Sequence, residues 1–181
     1  KNIFLYPAKK PLSYKSVSTK VESKSKILKE KDYLKAKNIF NLIKKGKWVT
    51  ALQQTKKVKD KEFKNLVTWL YLKERGNQAT FTDYKNFIED NYDYPRINRL
   101  RYLAEHKIIL KNTSSKIIIN WFNGEEPLSG TGKIKLGEAY LDVNENELGI
   151  NLIKSGWINA DLSSSDLKYY KKKFNKILKT Q

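Results

Sequence analysis

The stretch Ser129-Gly130-Thr131-Gly132-Lys133 is the first place where residue types and spacing could do chemistry. Glycines beside a hydroxyl and an ammonium are how a phosphate-binding loop offers backbone N–H groups and charge to a nucleotide. That pattern needs Gly at position 127 and Ser or Thr at 134, after a strand; the chain has Pro127 and Ile134. The expectation is therefore a glycine-containing loop that opens a helix, with no cofactor. His106 is the single His and there is no Cys, so disulfides, thiol nucleophiles and thiolate ligands are excluded and no metal site is expected. A Ser-His-Asp triad would need a nucleophile elbow, which the chain lacks. Glu89-Asp90 and Glu125-Glu126 are paired carboxylates, but adjacent residues do not converge on one glycosidic bond. Asn112-Thr113-Ser114 matches a glycosylation sequon, a pattern common by chance.

Two residue types remain that could recognise a ligand. Trp48, Trp69, Trp121 and Trp157 are widely spaced; core packing between helices is one use, stacking on a sugar ring the other. Arg96, Arg99 and Arg101 follow Pro95 on one expected helix, where Arg96 and Arg99 are i, i+3 neighbours able to face an anionic ligand. Salt bridges to Asp90, Asp93 or Glu105 are their competing use.

These residues must be held by helices. From Asp32, Ala36, Ile39, Phe40 and Ile43 fall on one helical face, and Gly46 supplies its stop. Trp48, Ala51, Leu52 and Val58 form a shorter stripe. Asp60 caps a third helix with Phe63, Leu66, Val67 and Leu70 inside. Thr80 and Asp83 make a capping-box pair before Phe81, Tyr84, Phe87 and Ile88. Pro95 suits the first position of a fifth helix, with Ile97, Leu100 and Ala104 on its core face, and Asn112-Thr113 opens a sixth. Lys116 to Phe122, with three consecutive Ile, would suit a strand; a lone strand is unstable, so it is taken as helical. A seventh helix runs from Thr131 to Val143. An eighth, from Glu145 to Ile158, holds Leu148, Leu152 and Ile153 inside. A last one from Ser163 to Ser165 onward carries Leu167, Tyr170, Phe174, Ile177 and Leu178.

The expected fold is all-α: an α-α superhelix or solenoid of antiparallel helix hairpins, one unit roughly every 30–40 residues. Residues 1–31 read as a basic N-terminal arm or linker, and residues 32–181 as the helical domain.

Several segments together carry a family resemblance. Gly46-Lys47-Trp48-Val49-Thr50-Ala51 is followed by Trp69, by Asp93-Tyr94-Pro95-Arg96, by Leu100-Arg101 and by Ala104-Glu105. Trp121-Phe122, Pro127-Leu128-Ser129-Gly130-Thr131-Gly132-Lys133, Glu138-Ala139, Leu152-Ile153 and Trp157 come next. In that order and spacing, over about Asp32 to Lys179, the chain resembles the N-terminal superhelical, U-shaped region of the soluble lytic murein transglycosylases. The resemblance implies a non-catalytic scaffold in the bacterial periplasm that binds peptidoglycan, with linker and catalytic domains of a parent enzyme as partners. The parent activity would be non-hydrolytic glycan cleavage to 1,6-anhydromuropeptides by one Glu. That Glu precedes a Ser in the family, and a Gly-Leu-Met-Gln stretch follows. Here the one Glu-Ser is Glu22-Ser23, in the Lys/Ser-rich lead, and there is no Met, so no catalytic residue carries over. The missing Met, absent even at the start, also predicts that the chain begins at a processing boundary. Trp48, Trp121, Arg96 and Arg99 are the expected glycan contacts.

The formal charge of +18 across 181 residues could suggest nucleic acid instead. Residues 1–31 contribute +7 and residues 168–181 another +6, which leaves +5 for the rest. All but four of the 37 basic residues are Lys, the less phosphate-specific cation, so no nucleic-acid partner is expected. No apolar run nears the roughly 18–20 residues of a membrane span. The other reading consistent with these features is a helical-repeat adaptor for a protein partner.

Overall fold

The computed structural model describes residues 25–179. Most of the expected basic arm, residues 1–24, lies outside the described residues, as do 180 and 181. The described chain holds ten α-helices, and no strand occurs among the described residues. They are α1 (Glu30–Lys44), α2 (Trp48–Thr55), α3 (Lys61–Lys73), α4 (Phe81–Asp90), α5 (Ile97–Lys107), α6 (Ser115–Phe122), α7 (Gly130–Asp142), α8 (Asn146–Asn159), α9 (Ser164–Lys173) and α10 (Asn175–Leu178). The all-α expectation holds, and Lys116 to Phe122 is indeed helical within α6.

Local chemistry explains most of the boundaries. Past α1, the Gly46 N–H donates to the Ile43 carbonyl and the Lys47 N–H to the Leu42 carbonyl, a Schellman stop with Gly46 at φ 69°. Asp60 Oδ1 accepts from the Phe63 N–H at 2.7 Å at the head of α3. Thr80 and Asp83 close the expected capping box on α4, and all four residues of its predicted face are buried. Asp32, expected as a helix start, lies inside α1; its buried carboxylate accepts from the N–H groups of Lys59 and Asp60, tying α1 to the entry of α3.

Three expectations need correction. Pro95 does not open α5. Arg96 takes a left-handed conformation (φ 58°) as its N-cap, and the helix starts at Ile97. Arg96 therefore lies off the helix, and the i, i+3 cationic face with Arg99 does not form. The last stripe is not one helix: it breaks at Phe174 between α9 and α10, and Leu167 stays exposed while Tyr170 and Phe174 are buried. Leu148 is also exposed, because α8 turns Gly149, Ile153 and Gly156 inward instead.

That choice on α8 follows from how closely it meets α7. A Cβ on Gly130 would lie 2.5 Å from the backbone of Asn159 and Ala160, and one on Gly156 would lie 2.6 Å from the Gly130 carbonyl. Gly137 and Gly149 face each other in the same way, each within 2.8 Å of the other's carbonyl for an added Cβ. The pairing 130 with 156 and 137 with 149 makes α7 and α8 a tightly packed antiparallel hairpin.

Burial falls into three clusters along the chain. Ala36, Ile39, Ala51, Val58, Phe63 and Val67 join α1, α2 and the first half of α3. Leu72, Phe81, Tyr84, Phe87, Leu100, Ile118, Phe122, Leu136 and Ala139 form the largest, from the end of α3 to α7. Ile134, Ile153, Tyr170 and Phe174 close the last, between α7, α8, α9 and the α9–α10 break. Helices pack mainly on their neighbours in sequence, with α5 against α7 and α10 against α8 as the longer steps.

Candidate functional site

The site grows from one buried carboxylate. Glu105 sits on the inner face of α5 at 1% exposure, next to Ala104 and five residues after Leu100, both fully buried. Its Oε1 accepts from the Leu128 N–H at 2.7 Å, and its Oε2 accepts from the Ser129 hydroxyl at 2.5 Å. Ser129 Oγ in turn accepts from the Gly132 N–H at 2.9 Å, which caps α7. Gly132 leaves room for this contact, since a Cβ there would displace the Glu105 carboxylate. The loop thus opens a helix as expected, and its glycines serve packing.

Among the described residues, no cation forms a salt bridge with Glu105. Burial raises its pKa above the ordinary carboxylate value, against the hydrogen bonds from Ser129 and Leu128 and the nearby His106. With a folded pKa above the unfolded one, its stabilising contribution is complete below the unfolded pKa, near 4.5. It is lost as pH rises through the raised folded value. The Glu105 contribution to stability should therefore decline with rising pH across that window, and Glu105→Gln should remove that part of the pH slope. Chemical denaturation at a series of pH values checks this; an unchanged slope in the Gln variant would contradict it.

This clasp holds the 126–130 backbone as one wall of a cleft of about 380 Å³. Tyr102 and His106 from α5 face it, with Lys133 from α7 and Asn159 and Asp161 from the end of α8 and beyond. His106 Nδ1 lies 2.8 Å from the Tyr102 carbonyl. A carbonyl only accepts, so Nδ1 carries a proton in this bond, and Nε2 is the ring nitrogen left out of it. The Tyr102 ring lies 4.7 Å from that of His106, and the Arg99 guanidinium sits 5.0 Å from its centroid. At the rim, Lys133 Nζ meets Glu126 Oε1 at 2.5 Å, and this hydrogen bond holds the Glu126 carboxyl below its usual pKa.

A tyrosine ring, an imidazole, an amide, carboxylates and an ammonium thus line one polar cleft. Such a set suits a hydroxyl-rich ring, which offers an apolar face for stacking and hydroxyls that both donate and accept. The raised pKa belongs to Glu105, but both of its oxygens are engaged inside the loop, so it positions the wall.

The expected contacts lie elsewhere. Trp48 opens α2 half-buried, its ring 5.6 Å from Tyr71. Trp121, at the end of α6, is half-buried with its ring edge-on to Phe81 at 5.0 Å. Arg96 and Arg99 are exposed, and Arg99 touches the cleft only through Tyr102. Arg101 bonds Glu125 at 2.5 Å in place of the expected Asp90, Asp93 or Glu105. None of Trp48, Trp121, Arg96 and Arg99 lines this cleft, and the structure does not bring the four together. Tyr102 and Glu105 were not singled out as functional from the sequence, although Glu105 follows Ala104 on an apolar face and Gly132 is the small partner it needs. Comparison with protein-family models, with curated proteins and with solved structures finds no match for this chain.

Proposed function

We propose that the chain is a non-catalytic helical scaffold that binds the glycan of peptidoglycan, as the superhelical region of a periplasmic lytic transglycosylase would. One observation carries the reading. Two segments of the resemblance, Leu100 to Glu105 and Pro127 to Lys133, meet through the Glu105 clasp and frame the polar cleft under Tyr102. The neighbour-to-neighbour packing of the helices and the α7–α8 hairpin support a curved α-α array, whose inner face would hold a long polymer. In this reading the linker and catalytic domains of the parent enzyme supply glycan cleavage to 1,6-anhydromuropeptides, and this chain supplies grip and orientation. The Lys-rich surface adds attraction to carboxylates of the wall peptides.

The test is co-sedimentation with purified peptidoglycan sacculi, followed by analysis of the soluble products. The chain should pellet with sacculi in salt that screens its lysines, and release no anhydromuropeptides. Tyr102→Ala should weaken retention roughly tenfold through loss of stacking. Release of anhydromuropeptides by the chain alone would sink the non-catalytic assignment. Retention that vanishes in salt and ignores Tyr102→Ala would reduce the interaction to bulk charge, and no retention would favour a protein partner.

A further inference from the structure

A second cavity, of about 470 Å³, opens between the loop before α6, the C-terminal half of α7 and α9. It shares no lining residue with the cleft under Tyr102, and the inference below does not depend on the glycan reading. Its lining mixes full charges of both signs with apolar walls. Glu138, buried on α7, is bound by Lys173 from α9, and Lys173 also donates to the Tyr169 hydroxyl at 3.2 Å. Burial works against the Lys173 charge, but the bonds to Glu138 and Tyr169 prevail and hold its pKa up. That pair is neutral as a unit and fixes one wall.

The other two charges are not neutralised. Asp142, one turn beyond Glu138, accepts a hydrogen bond from the buried Ser115 hydroxyl at 2.6 Å and has no cationic partner among the described residues. Lys111 faces the same cavity and has no acidic partner among the described residues. Leu110, Leu141 and Phe174 supply apolar surface between them. Ser115 holds one Asp142 oxygen in a set position, so the carboxylate is oriented before any ligand arrives. A cavity in the size range of small-molecule sites, with one open anion, one open cation and apolar walls, is complementary to a zwitterion.

We propose that this cavity binds a short zwitterionic peptide of dipeptide size, with its ammonium on Asp142 and its carboxylate on Lys111. The volume exceeds what a single small amino acid fills, and the two open charges belong to different elements, α7 and the loop before α6.

Dialanine is the probe, titrated into the isotope-labelled full chain and followed by amide chemical shifts. N-acetyl-dialanine, dialanine amide and free alanine serve as controls. Dialanine should shift amides around Leu141 and Phe174, and bind about tenfold more tightly than either capped form, the range for one charge-assisted hydrogen bond. Asp142→Asn should weaken dialanine about tenfold and leave the N-acetyl form unchanged. Lys111→Ala should weaken dialanine to a similar degree and leave the amide form unchanged. This crossed pattern cannot arise from misfolding, which would weaken all ligands together. Equal binding of capped and uncapped forms, alanine binding as tightly as dialanine, or shifts that avoid Leu141 and Phe174 would each overturn the proposal.

Discussion

Glu105→Ala should lower the unfolding free energy by about 2–3 kcal/mol, because it removes two hydrogen bonds and opens a void beside α7. Relief of the buried charge works in the opposite direction. It is the smaller effect, since Leu128 N–H and Ser129 Oγ lose the acceptor the fold was built around. For a chain of this size the melting temperature should drop roughly 4–12 °C. Glu105→Gln keeps an acceptor for Leu128 and fills the same space, so its cost should stay near 1 kcal/mol or below. The two melts side by side are the measurement. An alanine variant that melts with the parent would show that the loop does not depend on this carboxylate. A glutamine variant as damaged as the alanine one would show that charge, and not hydrogen bonding, holds it.

The second large effect sits at the α7–α8 seam. Ala is ordinarily preferred to Gly inside a helix by about 0.5–1 kcal/mol. At Gly130 and Gly156 the sign should reverse. The added Cβ meets backbone atoms, which cannot rotate away as a side chain can. Overpacking of this kind costs about 1–3 kcal/mol or more, which exceeds the propensity gain. Each substitution should therefore destabilise by about 2 kcal/mol net. Because the two positions face each other, their effects should not add: once one methyl has pushed the helices apart, the second finds room. A denaturation cycle over the two single variants and the double variant measures this coupling. Strict additivity would mean that the helices yield independently at the two points.

Much of the fold was legible because caps and stripes act locally. Thr80 with Asp83, Asp60, and Gly46 each announce a boundary through their own side chain or lack of one, and the structure uses all three. The misses share a cause that is not local. Arg96 has no intrinsic bias toward a left-handed backbone, so nothing in its type shows that α5 starts two residues after Pro95. The break at Phe174 interrupts a stripe with no Gly or Pro in it, where the Tyr170 and Phe174 rings stack 5.8 Å apart in the core. On α8 the large residue at 148 looks like the buried one. The inward position goes to Gly149 because α7 comes so close, which only the partner helix can dictate.

The site followed the same division. The loop from Pro127 to Lys133 stands out by its composition, and its helix-opening role follows from Ser129. What it encloses depends on Glu105, 23 residues upstream of Leu128, and on Asn159 and Asp161 beyond α8. The tryptophans drew attention by size, yet all four are half-buried against neighbouring side chains and backbone. Trp69, for example, donates its indole N–H to the Pro95 carbonyl at 2.9 Å. The ring offered to the cleft belongs to Tyr102, one of eleven tyrosines and indistinguishable from the others until α5 is placed.

The three clusters of buried side chains do not meet at loops. They meet at α3 and α7, each of which gives one set of residues to the cluster before it and another to the cluster after it. A body joined through loops bends at a hinge, with rigid pieces swinging about one point. One joined through shared rods has no such point, because tilting α3 or α7 slightly strains the packing on both of its sides at once. Its compliance is spread along the length, like that of a leaf spring, and returns elastically. A protein of this build can bend in small increments, with no core opened on the way.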